Sequence, residues 1–444
     1  MSVAAVTAAR VSGADLRVRT LPPAAGERAV AVPGDKSISH RILLAAAAGD
    51  RPVRIVGLNP GSAVGVLVPA LGALGCALER AGAAWLVRPP AGGLPREAAG
   101  VLDLGPSSAA ARLLLGLLAG AGVRGVVTGD ATLRSRPMDW VVDPLRELGA
   151  DLRYLGEPGR LPVYTGGAPL HGGRVRMRVG SAQAGSAVMF AAFAARVPVE
   201  VELEVRSRDH TERLLEALGV GVHHTGMRVR MDGLPPNLPG EYHLPGDPSA
   251  AAFLAAAHVL RGGRGTLRLP GVGTNPTRMG FFEVLRACGV PVREEKRRQV
   301  HGEPVSTLVV GPCSGSLRPF TVSDPGRLHA MIDEVPLAAA LAASLPGRSR
   351  IGAAGELVFK ETNRLVTTRD MLRAFGARVE VEGDAIVVQG GGPLAAGAVP
   401  SFGDHRIAMA AAVLASSLPG ETTVLGGACF STSFPGFDRA LSAL

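Results

Sequence analysis

The residue types best suited to chemistry stand in one short segment, 32–41, where Lys36, Ser37 and Arg41 follow a glycine. The apolar run at 42–48 predicts a helix whose first turns carry these three side chains. A helix N-terminus attracts anions because its unpaired N–H groups and its dipole add to the side-chain charges. The G-x-x-x-x-G-K-[ST] spacing of a P-loop is absent. The segment therefore predicts another kind of anion site, the alternative being a solvated basic helix start.

Composition makes Lys36 stand out from a basic background. The 444 residues include 47 Lys and Arg against 38 Asp and Glu, a net charge of +9, but only Lys36, Lys296 and Lys360 are lysines. Such a skew towards arginine is typical of a GC-rich coding bias. A retained lysine is therefore stronger evidence of a functional role than an average arginine. Basic residues are scattered, aromatics make up 4%, and no nucleic-acid motif is present. We expect small anionic substrates and no nucleic acid.

The length and apolar content of the chain limit the classes of protein to which it can belong. With 47% hydrophobic residues, a chain of 444 predicts two or three domains with sizeable cores. The four cysteines are far apart and form no C-x-x-C pair, which favours reduced thiols and no metal site. The apolar stretches 109–123 and 407–415 are too short or interrupted to span a bilayer. We expect a cytoplasmic monomer with no membrane segment and no cofactor.

One pattern recurs along the chain: two apolar residues at i and i+3, a glycine, then alternating residues. It begins at residues 71, 145, 215, 285 and 372. Each copy predicts the end of a helix, a left-handed glycine stop and a strand, although any α/β protein contains several such joints. A sixth helix at 437–444 has no strand after it, so we expect segment 15–20 to supply one. The Pro-Gly pairs at 33–34 and 245–246 predict crossings between lobes.

Further motifs follow the segment 32–41 at residues 129–138, 181–183, 207–213, 245–249, 275–278, 332–336, 360–364, 403–406 and 433–437. Together, and in this order, they make the chain resemble the 5-enolpyruvylshikimate-3-phosphate synthase (3-phosphoshikimate 1-carboxyvinyltransferase) family over nearly its whole length. The resemblance implies an α/β protein with the two-lobed enolpyruvyltransferase fold, an inside-out α/β barrel with three βαβαββ units per lobe. One lobe would contain residues 33–245, and the other residues 1–32 and 247–444.

The resemblance also implies a reaction, the transfer of the enolpyruvyl (carboxyvinyl) group of phosphoenolpyruvate to the 5-hydroxyl of shikimate 3-phosphate, with release of phosphate. The implied catalytic residues are Lys36, Asp333, Glu361 and His405. Those implied for shikimate 3-phosphate are Lys36, Ser37, Arg41, Ser181, Gln183, Arg208, Asp333 and Lys360. Those implied for phosphoenolpyruvate or phosphate are Lys36, Ser108, Arg136, Gln183, Arg364 and Arg406.

Each of these residue types also has an ordinary structural explanation. Helix N-capping accounts for a serine and a glutamine such as Ser181 and Gln183. The acidic residues Asp333 and Glu361 belong to dipeptides that are usually solvated ion pairs, and His405 is as well explained as a structural histidine. The alternative to an enzyme is a basic binding protein, which would bind anions or nucleic acid without turnover.

The chain departs from the family in one loop, which the resemblance assigns to the phosphoenolpyruvate pocket. Pro106, Ser108 and Ala109 stand where the family has Asn, Gly and Thr, and Ala63 stands where an acidic residue is common. Two enzymatic hypotheses follow. The first is a carboxyvinyltransferase with an atypical pocket that is insensitive to glyphosate, because Ser108 would crowd the inhibitor. The second is a paralogue in specialised metabolism that eliminates phosphate from shikimate 3-phosphate or a related cyclitol phosphate without phosphoenolpyruvate.

Overall fold

The computed structural model describes residues 9–20, 26–313 and 316–444, which form two compact units. The first unit comprises Gly34–Pro245 together with Gln299–Glu303. The second comprises the described residues up to Pro33, Gly246–Arg298 and Pro304–Leu444. The main boundaries therefore lie at the two Pro-Gly pairs. Residues 1–8, 21–25 and 314–315 of the predicted lobe ranges lie outside the described residues.

Each unit contains three four-stranded sheets, and the helices run between their strands. In the first unit the strands are Val53–Val56, Ala77–Ala81, Ala84–Arg88, Glu97–Asp103, Arg124–Thr128, Leu152–Tyr154, Val163–Gly166, Gly173–Arg176, Val199–Glu202, Val222–Thr225, Arg228–Met231 and Glu241–His243. Its helices are Lys36–Ala47, Ser62–Gly65, Leu67–Gly72, Ser108–Ala121, Ala131–Arg134, Asp139–Glu147, Ala182–Ala195 and His210–Ala217.

The second unit repeats this plan. Its strands are Ala9–Ser12, Asp15–Arg19, Glu27–Ala29, Thr266–Gly273, Val292–Val300, Glu303–Val310, Thr321–Val322, Gly347–Ile351, Arg378–Glu382, Ala385–Gly390, Ala398–Pro400 and Glu421–Leu425, two of which run into residues 299–303. Its α-helices are Pro248–Leu260, Gly280–Cys288, Pro325–His329, Val335–Ser344, Arg364–Ala374, His405–Ala415 and Phe437–Ser442. Short 3₁₀ turns cover Pro276–Arg278, Ile332–Glu334, Gly355–Phe359 and Gly427–Thr432.

Three of the sheets, formed by residues 97–166, 173–231 and 321–390, have the βαβαββ order that the resemblance implied. In the sheet that begins at Glu97–Asp103, that strand pairs in parallel with Arg124–Thr128, and an antiparallel hairpin completes the sheet. A parallel pair needs a crossover, which the helix Ser108–Ala121 supplies. The predicted fold class is thereby confirmed.

The predicted use of the N-terminal segment is also confirmed. Strand Asp15–Arg19 pairs antiparallel with Glu421–Leu425, and Leu16 lies opposite Val424. Both of these side chains are fully buried, so this pairing covers core that the C-terminal segment alone would leave open. The first and last described segments therefore share one sheet.

All five glycines of the recurring pattern have left-handed backbones. Their φ angles are 79° at Gly75, 95° at Gly149, 80° at Gly219, 101° at Gly289 and 88° at Gly376. This conformation ends a helix at little cost for a residue without a Cβ. The repeat therefore marks real helix ends.

Within each unit the helices form the interior. Helix Val335–Ser344 is buried at nearly every residue, as are Pro248–Leu260 and His405–Ala415. The strands alternate instead, as Asp15–Arg19 does, which places one face of each sheet on the core and the other in solvent. Within the described ranges, no helix combines the length and apolar character that a membrane crossing requires.

Residues 299–303 correct the predicted division, because they were expected in the lobe of residues 247–444. The His301 ring stacks on Tyr242 with 4.2 Å between ring centroids. The carboxylate of Glu303 lies 2.7 Å from Nδ1 of buried His210. These contacts place the tip of the hairpin that follows Val292–Val300 in the first unit, and sequence spacing carries no sign of them.

Candidate functional site

In the first unit, two parallel helices pack almost backbone to backbone. A Cβ added at Gly116 would lie 2.1 Å from the carbonyl oxygen of Ala187, and one at Gly120 would lie 2.0 Å from that of Ala191. The constant offset of 71 residues means that the helices Ser108–Ala121 and Ala182–Ala195 run in the same direction. Their N-termini therefore lie side by side.

The helix Lys36–Ala47 brings a third N-terminus to the same place. Its His40 has Nε2 2.9 Å from the Ala63 carbonyl oxygen and 3.3 Å from Oγ of Ser107, the residue that caps the helix at 108–121. Burial lowers the pKa of His40 to about 4. Three helix N-termini with their positive dipole ends thus meet, an arrangement that favours an anion.

Arg41 joins these helices from within. Its Nε donates to Oγ1 of Thr211 at 2.7 Å, Nη1 to the Ser37 carbonyl at 2.9 Å and Nη2 to Oγ of Ser186 at 2.8 Å. Burial lowers the pKa of Arg41 to about 10, against the opposing charge of Glu212. Arg41 is thus a fixed positive charge in the core, with protein oxygens around its guanidinium.

Several other predicted residues of this unit lie near the same helix ends. Lys36 and Ser37 are half-buried at the start of their helix, which Asp35 caps by accepting a hydrogen bond from the Ile38 N–H at 2.9 Å. Ser181 is buried and occupies the N-cap position of the helix 182–195, but in the described structure its hydroxyl makes no capping bond. Capping therefore does not account for this serine.

Gln183 is held by an arginine that sequence reasoning missed. Nη1 of Arg112 donates to Oε1 of Gln183, and Nη2 to the Pro137 carbonyl oxygen, each at 2.8 Å. The Arg112 guanidinium also lies over the Trp140 ring, 5.6 Å from its centroid. Arg136, one residue before Pro137, is buried. An arginine interrupting the apolar run 109–123 was the available signal for Arg112.

The departing loop forms a regular helix start. Asp103 accepts a hydrogen bond from the Gly105 N–H at 2.9 Å, and Ser107 accepts one from the Ala110 N–H at 3.4 Å. Pro106 precedes this cap, where no helical N–H is needed, so the missing donor costs nothing there. Ser108 is the first helical residue and is buried. The loop is therefore well formed, with a hydroxymethyl group where glycine would leave space.

In the second unit the predicted acids meet on Arg364. Its Nε lies 2.8 Å from Oδ2 of Asp404, Nη1 lies 3.1 Å from Oδ1 of Asp333, and Nη2 lies 2.5 Å from Oε2 of Glu361. Burial lowers the pKa of Arg364, but the charges of Asp404, Glu361 and Asp333 outweigh it and raise that pKa above its ordinary value. Arg364 is a permanent cation that gathers three carboxylates.

Only part of this cluster reaches solvent. The side chains of Arg364 and Asp404 are 1% and 0% exposed, whereas those of Asp333 and Glu361 are 15% and 26% exposed. Asp404 also caps the helix 405–415 by accepting a hydrogen bond from the Arg406 N–H at 2.8 Å. Asp404 is thus structural, while the other two acids are accessible to a ligand.

Arg406 and His405 begin the same helix and are both buried. Nη2 of Arg406 lies 3.8 Å from Oδ2 of Asp333, and Nη1 lies 3.8 Å from Oε1 of Glu334. The guanidinium carbon lies 5.8 Å from the centroid of the Phe253 ring. Asp333, Glu361, Arg364, His405 and Arg406 therefore share one region of the second unit.

Lys360 has an acidic partner in this structure. Its Nζ donates to Oε1 of Glu356 at 2.5 Å, and Nε2 of His329 lies 3.3 Å from Oε2 of the same residue. Burial raises the pKa of Glu356, but the charge of Lys360 and the bonds from both neighbours outweigh it and lower that pKa well below its usual range. The ammonium of Lys360 is thus neutralised in part by a carboxylate.

The remaining predicted residue, Arg208, lies half-buried before the helix His210–Ala217. That helix also carries Glu212, which sequence reasoning missed; burial raises its pKa to about 7. Among the residues that the structure describes, no group of three or more His, Cys, Asp or Glu side chains is placed to hold a metal ion.

Comparison with known proteins shows the family of this chain. The family model for EPSP synthase (3-phosphoshikimate 1-carboxyvinyltransferase) matches residues 22–441. A 3-phosphoshikimate 1-carboxyvinyltransferase of Acidiphilium cryptum (strain JF-5) is 40% identical over 418 residues, 92% of each chain. One of Anaeromyxobacter sp. (strain K) is 40% identical over 438 residues, 98% of this chain and 97% of the relative.

Solved structures show the same relationship. The EPSP synthase of Acinetobacter baumannii superposes with a TM-score of 0.82 at 30% identity, covering 96% of each chain. Sequence and structure thus match over the same, nearly complete extent. This protein is therefore a member of the EPSP synthase (3-phosphoshikimate 1-carboxyvinyltransferase) family of enzymes.

Proposed function

We propose that this enzyme transfers the enolpyruvyl group of phosphoenolpyruvate to the 5-hydroxyl of shikimate 3-phosphate and releases phosphate. The observation that carries the proposal is the Arg364 cluster, in which the accessible acids Asp333 and Glu361 share one buried cation, at 3.1 Å and 2.5 Å. Addition and elimination need both a base and an acid beside anion-binding groups. Family membership supports the same reaction.

Anion binding is divided among several fixed cations. In the first unit, Lys36 and Ser37 at the joined helix N-termini, with Ser181 and Gln183, are the proposed ligands of a phosphate. Arg136 and Ser108 are proposed for the second substrate, and Arg41 and Arg208 for carboxylate and hydroxyl groups. In the second unit, Arg364 and Arg406 supply planar guanidiniums, which bind carboxylate and phosphate through paired hydrogen bonds.

Proton transfer is assigned to the accessible carboxylates. One of them removes the proton of the 5-hydroxyl as its oxygen bonds to C2 of phosphoenolpyruvate. A proton is delivered to C3, which becomes a methyl group of the tetrahedral ketal. Loss of a methyl proton and cleavage of the C–O bond to phosphate then restore the double bond. The proposed groups are Asp333, Glu361 and Lys36, and His405 is proposed to orient Arg406.

The proposed acid role requires Glu361 to be protonated although Arg364 donates a hydrogen bond to it. Without substrate, Arg364 favours the ionised form of both carboxylates. A substrate phosphate or carboxylate that binds Arg364 supplies a competing negative charge and weakens its bond to Glu361. The proton affinity of Glu361 then rises at the moment when a donor is required.

The loop at 106–109 supports an atypical phosphoenolpyruvate pocket. Ser108 is buried at the start of its helix, so its hydroxymethyl group takes space that glycine would leave open. We infer that glyphosate is crowded out by this group. The same departures, with Ala63, favour a second candidate: elimination of phosphate from shikimate 3-phosphate or a related cyclitol phosphate without phosphoenolpyruvate, in specialised metabolism.

One experiment separates the two candidates. The protein is incubated with shikimate 3-phosphate, with and without phosphoenolpyruvate, and phosphate and ring protons are followed by NMR. Phosphate release that requires phosphoenolpyruvate, with new vinyl signals on the product, supports the transferase. Phosphate release without phosphoenolpyruvate, with a new ring alkene, refutes it in favour of elimination. Asp333→Ala should abolish either activity.

A further inference from the structure

The two arginines at the start of neighbouring helices in the second unit differ in how the protein holds them. Arg364 makes hydrogen bonds of 2.5 to 3.2 Å through all three of its nitrogens. Arg406 is as deeply buried, yet its nearest carboxylate oxygens are both 3.8 Å away. Within the described residues its Nε also has no hydrogen-bond partner. A buried guanidinium with so few hydrogen bonds costs free energy unless a ligand completes them.

The carboxylate on the other side of Arg406 belongs to Glu334, which the proposed mechanism does not use. Glu334 is 2% exposed, and its Oε1 accepts a hydrogen bond from Oγ of Ser249. Its Oε2 is buried and, in the described part of the chain, has no hydrogen-bond partner. Burying a carboxylate oxygen without a hydrogen bond destabilises the folded protein. We therefore looked for a role of the Glu334 charge in the site.

A buried polar chain fixes Glu334 in place. Nη2 of Arg278 lies 3.3 Å from Oγ of Ser249 and 3.2 Å from Oδ1 of Asp247. Asp247 in turn caps the helix that carries Ser249. Ser249, Glu334 and Arg406 stand at the starts of the helices 248–260, 335–344 and 405–415. Glu334 therefore cannot readily change its position relative to Arg406.

We propose that Glu334 is a positioning residue that balances Asp333 for the Arg406 guanidinium and so keeps both Asp333 and Arg406 available to the substrates. This proposal rests on the proposed function of Asp333 and Arg406. The two carboxylates lie at equal distances, 3.8 Å, from the two terminal nitrogens of Arg406. If the charge of Glu334 were removed, the remaining attraction would draw Arg406 towards Asp333.

That movement has two consequences for the reaction. Arg406 would donate its hydrogen bonds to the Asp333 carboxylate instead of a substrate anion. Binding of phosphoenolpyruvate would therefore weaken. Arg406 would also come closer to Asp333 than its present 3.8 Å, which further stabilises the ionised form of Asp333 and makes it a weaker base. Among the described residues, the cations next to Asp333 and Glu334 are Arg364 and Arg406. Glu361 and Asp404 share Arg364 with Asp333, and Arg278 and Asp247 adjoin Glu334 through Ser249.

The test compares Glu334→Gln with the wild-type enzyme in steady-state assays of phosphate release from phosphoenolpyruvate and shikimate 3-phosphate. The substitution keeps the size of the side chain and the acceptor for Ser249 but removes the charge. We expect KM for phosphoenolpyruvate to rise about tenfold or more, with KM for shikimate 3-phosphate changed less than twofold. The acid limb of the pH profile of kcat should move to lower pH. Glu334→Asp keeps the charge and should restore part of the loss.

Stability separates this role from a purely structural one. Glu334→Gln removes a buried charge with an unsatisfied oxygen, so its Tm should equal or exceed that of the wild type. A fall in Tm with equal effects on both substrates would overturn the proposal, as would unchanged kinetics. The exposed Glu382→Gln serves as the matched control and should leave activity unchanged. If the wild-type enzyme itself shows no turnover with both substrates, the proposed function fails instead.

Discussion

The close packing of two helices in the first unit predicts that Gly116→Ala destabilises the protein. Alanine is otherwise the better helix former by about 1 kcal/mol. Helix Ser108–Ala121 contains Gly116 well inside its bounds, so propensity alone predicts stabilisation. The sign of the effect therefore tests the packing directly.

The structure gives the size of the expected cost. The new Cβ would lie 2.1 Å from the Ala187 carbonyl oxygen and 2.9 Å from its Cα, where ordinary contact begins at 3.4 Å. The obstacle is backbone, so the helices must separate by about 1 Å. Overpacking of this kind costs about 1 to 3 kcal/mol, sometimes more, which outweighs the gain in propensity. We expect Tm to fall by about 4 °C.

Gly185→Ala provides the matched control. Gly185 lies in the partner helix, and its added Cβ would meet only the side chain of Leu203, at 3.5 Å. The same substitution there should leave Tm unchanged or raise it. Thermal unfolding followed by circular dichroism compares the variants, and KM for shikimate 3-phosphate reports displacement of Gln183. If Gly116→Ala raises Tm as Gly185→Ala does, the close approach of the helices is wrong.

Three further predictions concern single side chains of the first unit. Because the pKa of Glu212 is raised from 4.5 to about 7, the stability that it contributes is complete below pH 4.5 and is lost as pH rises through 7. Glu212→Gln should therefore stabilise the protein at pH 8 by up to about 3 kcal/mol, with no gain at pH 4.5. Urea unfolding at the two pH values measures the free energy of unfolding of both proteins. A stabilisation that is independent of pH would contradict the prediction. Arg112→Ala removes the hydrogen bond that orients Gln183 and should raise KM for shikimate 3-phosphate about tenfold, whereas equal kinetics would show that Gln183 needs no such support. Ser108→Gly should lower the glyphosate concentration that halves the rate, and an unchanged inhibition curve would rule out crowding by the serine hydroxymethyl group.

The sequence by itself determined the fold class and the principal chemistry. The helix, glycine and strand joints are local, since a left-handed glycine ends a helix wherever it stands; the missing sixth strand then followed from counting. Lys36 stood out because lysine is rare in this chain. The acids Asp333 and Glu361, with Arg364, were predicted as site residues from short motifs whose order resembles one family.

Tertiary structure decided which charges share an environment, because hydrogen bonds and Coulomb interactions depend on distances between segments far apart in the chain. No spacing predicts that Arg112 holds Gln183 across 71 residues, or that Ser249 donates a hydrogen bond to Glu334 across 85 residues. The unequal hydrogen bonding of Arg364 and Arg406 is likewise invisible in the sequence. Burial likewise sets the properties of two acids, because only packing removes water from a carboxylate. It raises the pKa of Glu212 and leaves Oε2 of Glu334, in the described part of the chain, without a hydrogen-bond partner.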